Sequence, residues 1–180
     1  MAETDRKEIA GLIIGTFHEY QRQQDSMPER ERMRAEFEVL LHEVIEKRHI
    51  SLIAEEAGDD TKAWEQLKQD EAMMPPAFAA LFSGTEVGDK PQNTIAKKIA
   101  DARIGDLTHV DIRPPHAKWM TIEERDKAMA NKIMEVLGTA TSILVVCGEI
   151  HRTGVEQRLK DQGLCAESFC FPESRCRPKE

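Results

Sequence analysis

Apolar residues along this 180-residue chain fall into two alternating kinds of run. Short continuous runs bounded by Gly, Pro or charged residues predict buried strands at Ile9–Gly15, Ile50–Ala54, Leu107–Ile112, Ser142–Cys147 and Glu167–Phe171. Between them the apolar period lengthens to three and four. Pro28–Arg48 places Met33, Phe37, Leu40, Leu41, Val44 and Ile45 on one stripe, with Pro28 suited to the first turn. Asp60–Met73 and Thr94–Arg103 read as shorter helices. Thr121-Ile122-Glu123-Glu124 has the form of a capping box opening a helix to Leu137, with Gly138 as its stop. On this helix Met129 and Ile133 are expected in the core. Thr153–Gln162 reads as the last helix. Ala77–Asn93, carrying Gly84, Gly88 and Pro91, reads as an irregular loop and a candidate lid, and Arg175–Glu180 as a polar tail.

The order β-α-β-α-β-α-β-α-β with near-continuous apolar strands predicts one α/β domain over residues 1–180. Its core would be a central parallel or mixed sheet of about five strands flanked by helices. Ligands of such sheets bind beyond the C-terminal ends of the strands. The residues just past each strand are His18-Glu19, Glu55-Glu56, Asp111 with Arg113, and Glu149 with His151. Parallel strands would gather all of them on one rim.

Charge narrows the function classes. A net charge of −8 and a pI of about 5.4 leave no basic stripe for a phosphate backbone, so no nucleic-acid partner is expected. No apolar run approaches the roughly 20 residues of a membrane span. The polar, acidic start Met1–Glu8 does not have the form of a signal peptide. A soluble, cytoplasmic protein is expected. Of the four cysteines, Cys147 lies inside an apolar run and reads as a core thiol. Cys165, Cys170 and Cys176 form no Cys-x-x-Cys pair, and a disulfide among them is possible only in an oxidising compartment, which nothing in the sequence indicates. Three enzyme classes lack their motifs: there is no Gly-x-Gly-x-x-Gly after the first strand, no Gly-x-Ser-x-Gly elbow and no Walker A loop.

Two segments repeat one pattern. Ile13-Ile14-Gly15-Thr16-Phe17-His18 and Val146-Cys147-Gly148-Glu149-Ile150-His151 both run apolar, apolar, Gly, x, apolar, His, each after a predicted strand. Two imidazoles with one or two carboxylates make a three- or four-ligand set for a divalent ion. With no Cys on the rim, the set is of the N/O kind that suits manganese, cobalt or zinc. Such an ion would lower the pKa of a bound water and polarise a carbonyl. Gly15 and Gly148 are expected to let the chain turn sharply off each strand. The bland alternatives are turn histidines, a solvated strand end at Glu55-Glu56, a surface pair of Asp111 with Arg113, a helix cap at Glu149, and helix-surface charges at Arg125-Asp126. His42, His49 and His116 are given no role.

These residues resemble a known group. Two Gly-x-x-His motifs with a Glu after the second strand are similar to the TraB/TIKI-type superfamily, which also takes in erythromycin esterase-like and ChaN-like haem-uptake proteins. Gly15–His18 matches the first motif and Gly148–His151 the second, and Glu55 or Glu56 stands at the family's carboxylate. Arg125-Asp126-Lys127-Ala128-Met129-Ala130 resembles a stretch before the last motif strand in the esterase-like branch. Asp111-Ile112-Arg113-Pro114 loosely resembles the Asp-Arg-Pro of the TraB branch, with one extra residue. Thr16 stands where the esterase-like branch has Glu. The matches span residues 12 to 163. The resemblance implies a mixed α/β fold with the site above the strand ends. It implies peptide-bond hydrolysis with a metal in the TIKI-like case, ester hydrolysis with a His base in the esterase-like case, and haem or iron binding without catalysis in the ChaN-like case.

Residues and resemblance together predict a metal-dependent hydrolase acting on peptide or ester bonds of a small-molecule or peptide substrate. His18 and His151 with Glu55 or Glu56 would hold the divalent ion. Glu19 or Glu149 would act as general base. Arg113 or Arg125 would steady the developing oxyanion, with Asp111 a further carboxylate of the rim. The alternative is a ChaN-like module that holds haem or another ligand between protomers, which leaves a homodimer open. An exposed patch of Tyr20, Trp119 and Met120 would favour it.

Overall fold

The computed structural model of the chain describes residues 10–21, 28–57, 94–103, 105–114, 117–138 and 140–175. The expected helix Asp60–Met73, the lid loop Ala77–Asn93 and the tail beyond residue 175 lie outside the described residues. The elements run β1 (Ala10–Thr16), α1 (His18–Gln21), α2 (Pro28–Lys47), β2 (Leu52–Glu55), α3 (Ile95–Ala102), β3 (Thr108–Asp111), α4 (Ile122–Leu137), β4 (Ser142–Gly148), α5 (Glu149–Asp161) and β5 (Cys165–Cys170). Short 3₁₀ turns lie at Ala117–Trp119 and Glu173–Arg175.

The five strands form one sheet in the order β3-β2-β4-β1-β5, and every pairing is parallel. The inner strands β1, β2 and β4 are buried almost throughout, as their unbroken apolar runs require, whereas the edge strands β3 and β5 carry exposed polar positions. Side chains alternate between two faces. Ile13, Leu52, Ala54, Ile143, Val145 and Cys147 pack under Met129 and Ile133 of α4 and Val155 and Leu159 of α5. Leu12, Ile14, Ile53, Leu144 and Val146 pack under Phe37, Leu41 and Ile45 of α2 and Ile95 and Ile99 of α3.

This order creates a topological switch point. The chain leaves β2 toward β3 on one side and leaves the adjacent β4 toward β5 on the other. The two connections diverge at the C-terminal ends of β2 and β4, the position at which open α/β sheets bind their ligands.

Local signals hold at the ends of the helices. Thr94 caps α3 by accepting from the Lys97 N–H, and Thr121 with Glu124 forms the full capping box of α4. The largest departure is α5, which begins at Glu149 rather than Thr153 and so carries His151 in its first turn. The Thr153-Gly154 pair is a poor helix former, yet it lies inside α5. The site below supplies the reason.

Cys147 is a buried free thiol and Cys165 an exposed one. Cys170 is disulfide-bonded, the possibility that the sequence leaves open for an oxidising compartment. Burial pushes the Cys147 thiol well above its ordinary range. The nearby Glu56, Asp126 and Glu149 charges add to that push and Arg152 opposes it. Above about pH 8.5, where an unfolded thiol ionises, the unfolded chain has lost a proton that the folded chain keeps, so stability falls as pH rises. Urea titrations between about pH 8 and 10 should therefore show a flatter alkaline slope for Cys147→Ala than for the parent. An equal slope in both would mean that this thiol is not the source. No helix among the described residues is long and apolar enough to cross a membrane.

Candidate functional site

The two motif histidines stand just past the C-terminal ends of the neighbouring strands β1 and β4. β1 ends at Thr16 and α1 starts at His18, which stands exposed on the rim. Its Nδ1 lies 3.0 Å from Gln21 Oε1, one turn on. With that oxygen accepting, Nδ1 carries the proton and Nε2 keeps its lone pair. His151, 1 % exposed, is held the same way from another element: its Nδ1 lies 2.6 Å from Oδ1 of Asp126 on α4. Its Nε2 faces Glu56 Oε1 at 3.7 Å and Arg125 Nη1 at 3.4 Å. Glu56 is anchored by its other oxygen, which accepts the Gly148 N–H at 2.9 Å.

Gly148 is the floor of this group. A Cβ placed there would lie 3.3 Å from His18 Nε2, 3.4 Å from Glu56 Oε2 and 3.5 Å from His151 Cδ2. One missing side chain thus leaves the space onto which all three groups open. This corrects the expected use of the glycines. Both lie within strands, and neither is among the glycines with positive φ. They serve close approach rather than turning. At Gly15 a Cβ would strike Glu149 and Arg152, so that glycine lets the first turn of α5 lie on β1.

The strand period separates the two adjacent glutamates. Glu55 continues the face of Ile53 and turns toward α3, where its Oε2 accepts from Thr94 Oγ1 at 2.5 Å and meets His109 Nε2 at 2.8 Å. Glu56 falls on the opposite face, toward α5. The main chain fixes this on both sides: Glu56 N–H donates to Val146 O, and Ile112 N–H donates to Glu55 O. Glu56 joins the histidines and Glu55 does not.

Other expected residues are placed elsewhere. Both oxygens of Glu149 are engaged by Arg152, at 2.9 and 3.0 Å, so it is neither a helix cap nor a disengaged base. Arg152 is itself held more firmly protonated by that carboxylate. Glu19 pairs with Arg30 at 3.5 Å. Asp111 accepts the backbone N–H of exposed Arg113 at 2.9 Å on the edge strand β3, beyond β2. Of the two candidate arginines, only Arg125 touches a site histidine. Tyr20, expected in an exposed patch, is buried edge-on between Phe17 and Phe171, whereas Trp119 is 77 % exposed.

Three residues that the sequence does not single out take part in the arrangement. The sequence leaves Asp126 without a site role, with a helix-surface charge as its bland alternative; it is 4 % exposed and shares the buried stripe of α4 with Met129, Ala130, Ile133 and Leu137. A carboxylate at i relative to apolar i+3, i+4 and i+7 is the signal that could have found it, because a buried charge needs a partner. Gly154 completes the arrangement. A Cβ there would overlap Asp126 Oδ2, which is why α5 tolerates a glycine in its interior. His109, which clamps Glu55, also drew no notice.

The donor set fits a divalent ion in kind. Two imidazole nitrogens and a carboxylate are N/O ligands, and both Nδ1 atoms meet the oxygen partners that steady a metal-bound imidazole. The described residues contain no group of three or more His, Cys, Asp or Glu side chains already drawn together to hold a metal. A shallow cavity of about 200 Å³ lies at the opposite ends of the strands, lined by residues such as Ala10, Ser142 and Glu167, and takes no part in this chemistry. No family model, curated protein or solved structure matches the chain.

Proposed function

We propose that the protein is a hydrolase of peptide or ester bonds, of the TraB/TIKI type that its two Gly-x-x-His motifs resemble, working just past the C-terminal ends of the strands. The observation that carries this reading is the matched support of two imidazoles. Each meets a side-chain oxygen at Nδ1, and each opens toward Glu56 over the side-chain-free Gly148. A packing role for these residues would not require both rings to be oriented in this way.

His18, Glu56 and His151 would hold the divalent ion, which would supply a water of lowered pKa and a polarised carbonyl. The remaining work belongs to the chain. Asp126 fixes the tautomer and tilt of His151, as the orienting acid does in hydrolytic triads. Gln21 does the same for His18 at the rim, where substrate arrives. The Gly148 N–H pins one oxygen of Glu56 and leaves Oε1 facing His151. Arg125 brings a positive charge beside His151, where an oxyanion would develop. Glu19 and Glu149, already paired with arginines, carry no base role in this scheme.

Elemental analysis and turnover test the proposal together. The parent should contain about one divalent ion per chain, and a His18→Ala/His151→Ala variant should lose it. Hydrolysis of p-nitrophenyl acetate and of unblocked peptides, with manganese, cobalt or zinc supplied, should fall at least about 100-fold in the variant. A folded variant that hydrolyses these substrates like the parent would overturn the proposal. Turnover in a metal-free parent, lost in the variant, would keep the hydrolase and remove the ion.

A further inference from the structure

Four large apolar side chains are strongly exposed among the described residues: Trp119, Val39, Ile150 and Ile122. Val39 lies on α2, on the other face of the sheet. The other three lie at the starts of α4 and α5. Trp119 ends the 3₁₀ turn just before Thr121, the cap of α4, and Ile122 is the first residue of that helix. Ile150 is the second residue of α5. The two helices pack against each other and both start at the C-terminal rim of the sheet.

Continuity with the site gives this wall its meaning. Ile122 precedes Arg125 by three residues and Asp126 by four, so it shares their face of α4 one turn nearer the rim. Arg125 and Asp126 are the two α4 residues that contact His151. Ile150 directly precedes His151. Exposed apolar residues scattered singly carry no message, but three beside one polar site mark a ligand surface. Glu123 and Glu124 stand exposed in the same first turn of α4 as Ile122.

We infer that the wall of Trp119, Ile122 and Ile150 takes a bulky, uncharged apolar group adjoining the scissile bond, which makes the substrates hydrophobic esters or amides rather than small polar ones. This rests on the hydrolase reading for the word substrate. The preference for an apolar group stands on the wall alone.

Methyl ketones of rising chain length, from acetone to 2-decanone, test it by calorimetric binding, because they carry the carbonyl and no scissile bond. Affinity should rise about twofold for each added methylene that lies half-buried on the wall. The Trp119→Ser/Ile122→Ser/Ile150→Ser variant, whose changes are all at exposed positions, should give a flat series, with an unchanged melting curve verifying the fold. A flat series in the parent, or one equally steep in the variant, overturns the inference. A steep series in the parent that flattens in the variant, with no ester or peptide turned over, supports the apolar-ligand surface and overturns the hydrolase.

Discussion

Removal of the His151 ring should destabilise the fold by about 3 kcal/mol, because breaking one side of a buried pair leaves an uncompensated charge, and it should also abolish the proposed hydrolysis. Asp126 is 4 % exposed, and its Oδ1 meets His151 Nδ1 at 2.6 Å. In His151→Ala that carboxylate loses its close partner inside the contact between α4 and α5. For a domain of this size such a loss lowers the melting temperature by roughly 6–12 °C. A double-mutant cycle isolates the cause. Asp126→Ala/His151→Ala removes the stranded charge together with its partner, so it should cost less than the sum of the two single changes, by at least about 1 kcal/mol in urea titrations. Strict additivity would show that the two groups are not coupled. Asp126→Asn adds a functional readout. The amide keeps the shape but cannot orient the imidazole as the carboxylate does, so hydrolysis should drop by about 100-fold or more with much smaller loss of stability.

Gly154→Ala is the second substitution with a large expected effect. In most helix interiors this change stabilises by close to 1 kcal/mol, since alanine is the better helix former. Here the sign should reverse. The new methyl would overlap Asp126 Oδ2 and crowd its Cγ at 2.7 Å. Asp126 is a short side chain tied to His151 and has little freedom to give way. Either the carboxylate swings off the imidazole or α5 lifts from α4, and overpacking of this kind costs about 1–3 kcal/mol. Thermal melts should show a decrease of roughly 2–12 °C. Turnover should fall as well, because the displaced group orients His151. A Gly154→Ala protein more stable than the parent would mean that Asp126 does not occupy that space.

Most of the architecture could be read along the chain, because inner strands and amphipathic helices differ in apolar period and length. All five strands and helices α2, α3 and α4 fall at or within about two residues of their expected positions, within the normal uncertainty of element ends. The sequence also places ionisable residues just past the strands. What period and spacing do not carry is direction across the sheet. Glu55 and Glu56 are equivalent as letters, yet one turns to Thr94 and His109 and the other to His18 and His151. Glu149 matched a motif position, but Arg152, three residues along the same helix, takes both of its oxygens.

The two Gly-x-x-His segments illustrate the division most clearly. Their position after buried runs was enough to put both histidines on one rim once the strands were parallel, since parallel strands share their C-terminal ends. The role of each glycine was not readable locally. Gly15 and Gly148 have no conformation that demands glycine; Gly15 is required by atoms that arrive from α5, and a Cβ at Gly148 would crowd His18 Nε2 of α1. Asp126 and Gly154 are likewise explained only by each other, across 28 positions of chain. The sequence alone therefore determined the elements, their order and the edge of the sheet where chemistry gathers, because burial period and turn chemistry act over a few residues. Only the tertiary structure decided which carboxylates meet the imidazoles and which are held by arginines, because strand order, register and helix packing bring distant groups to within 3–4 Å.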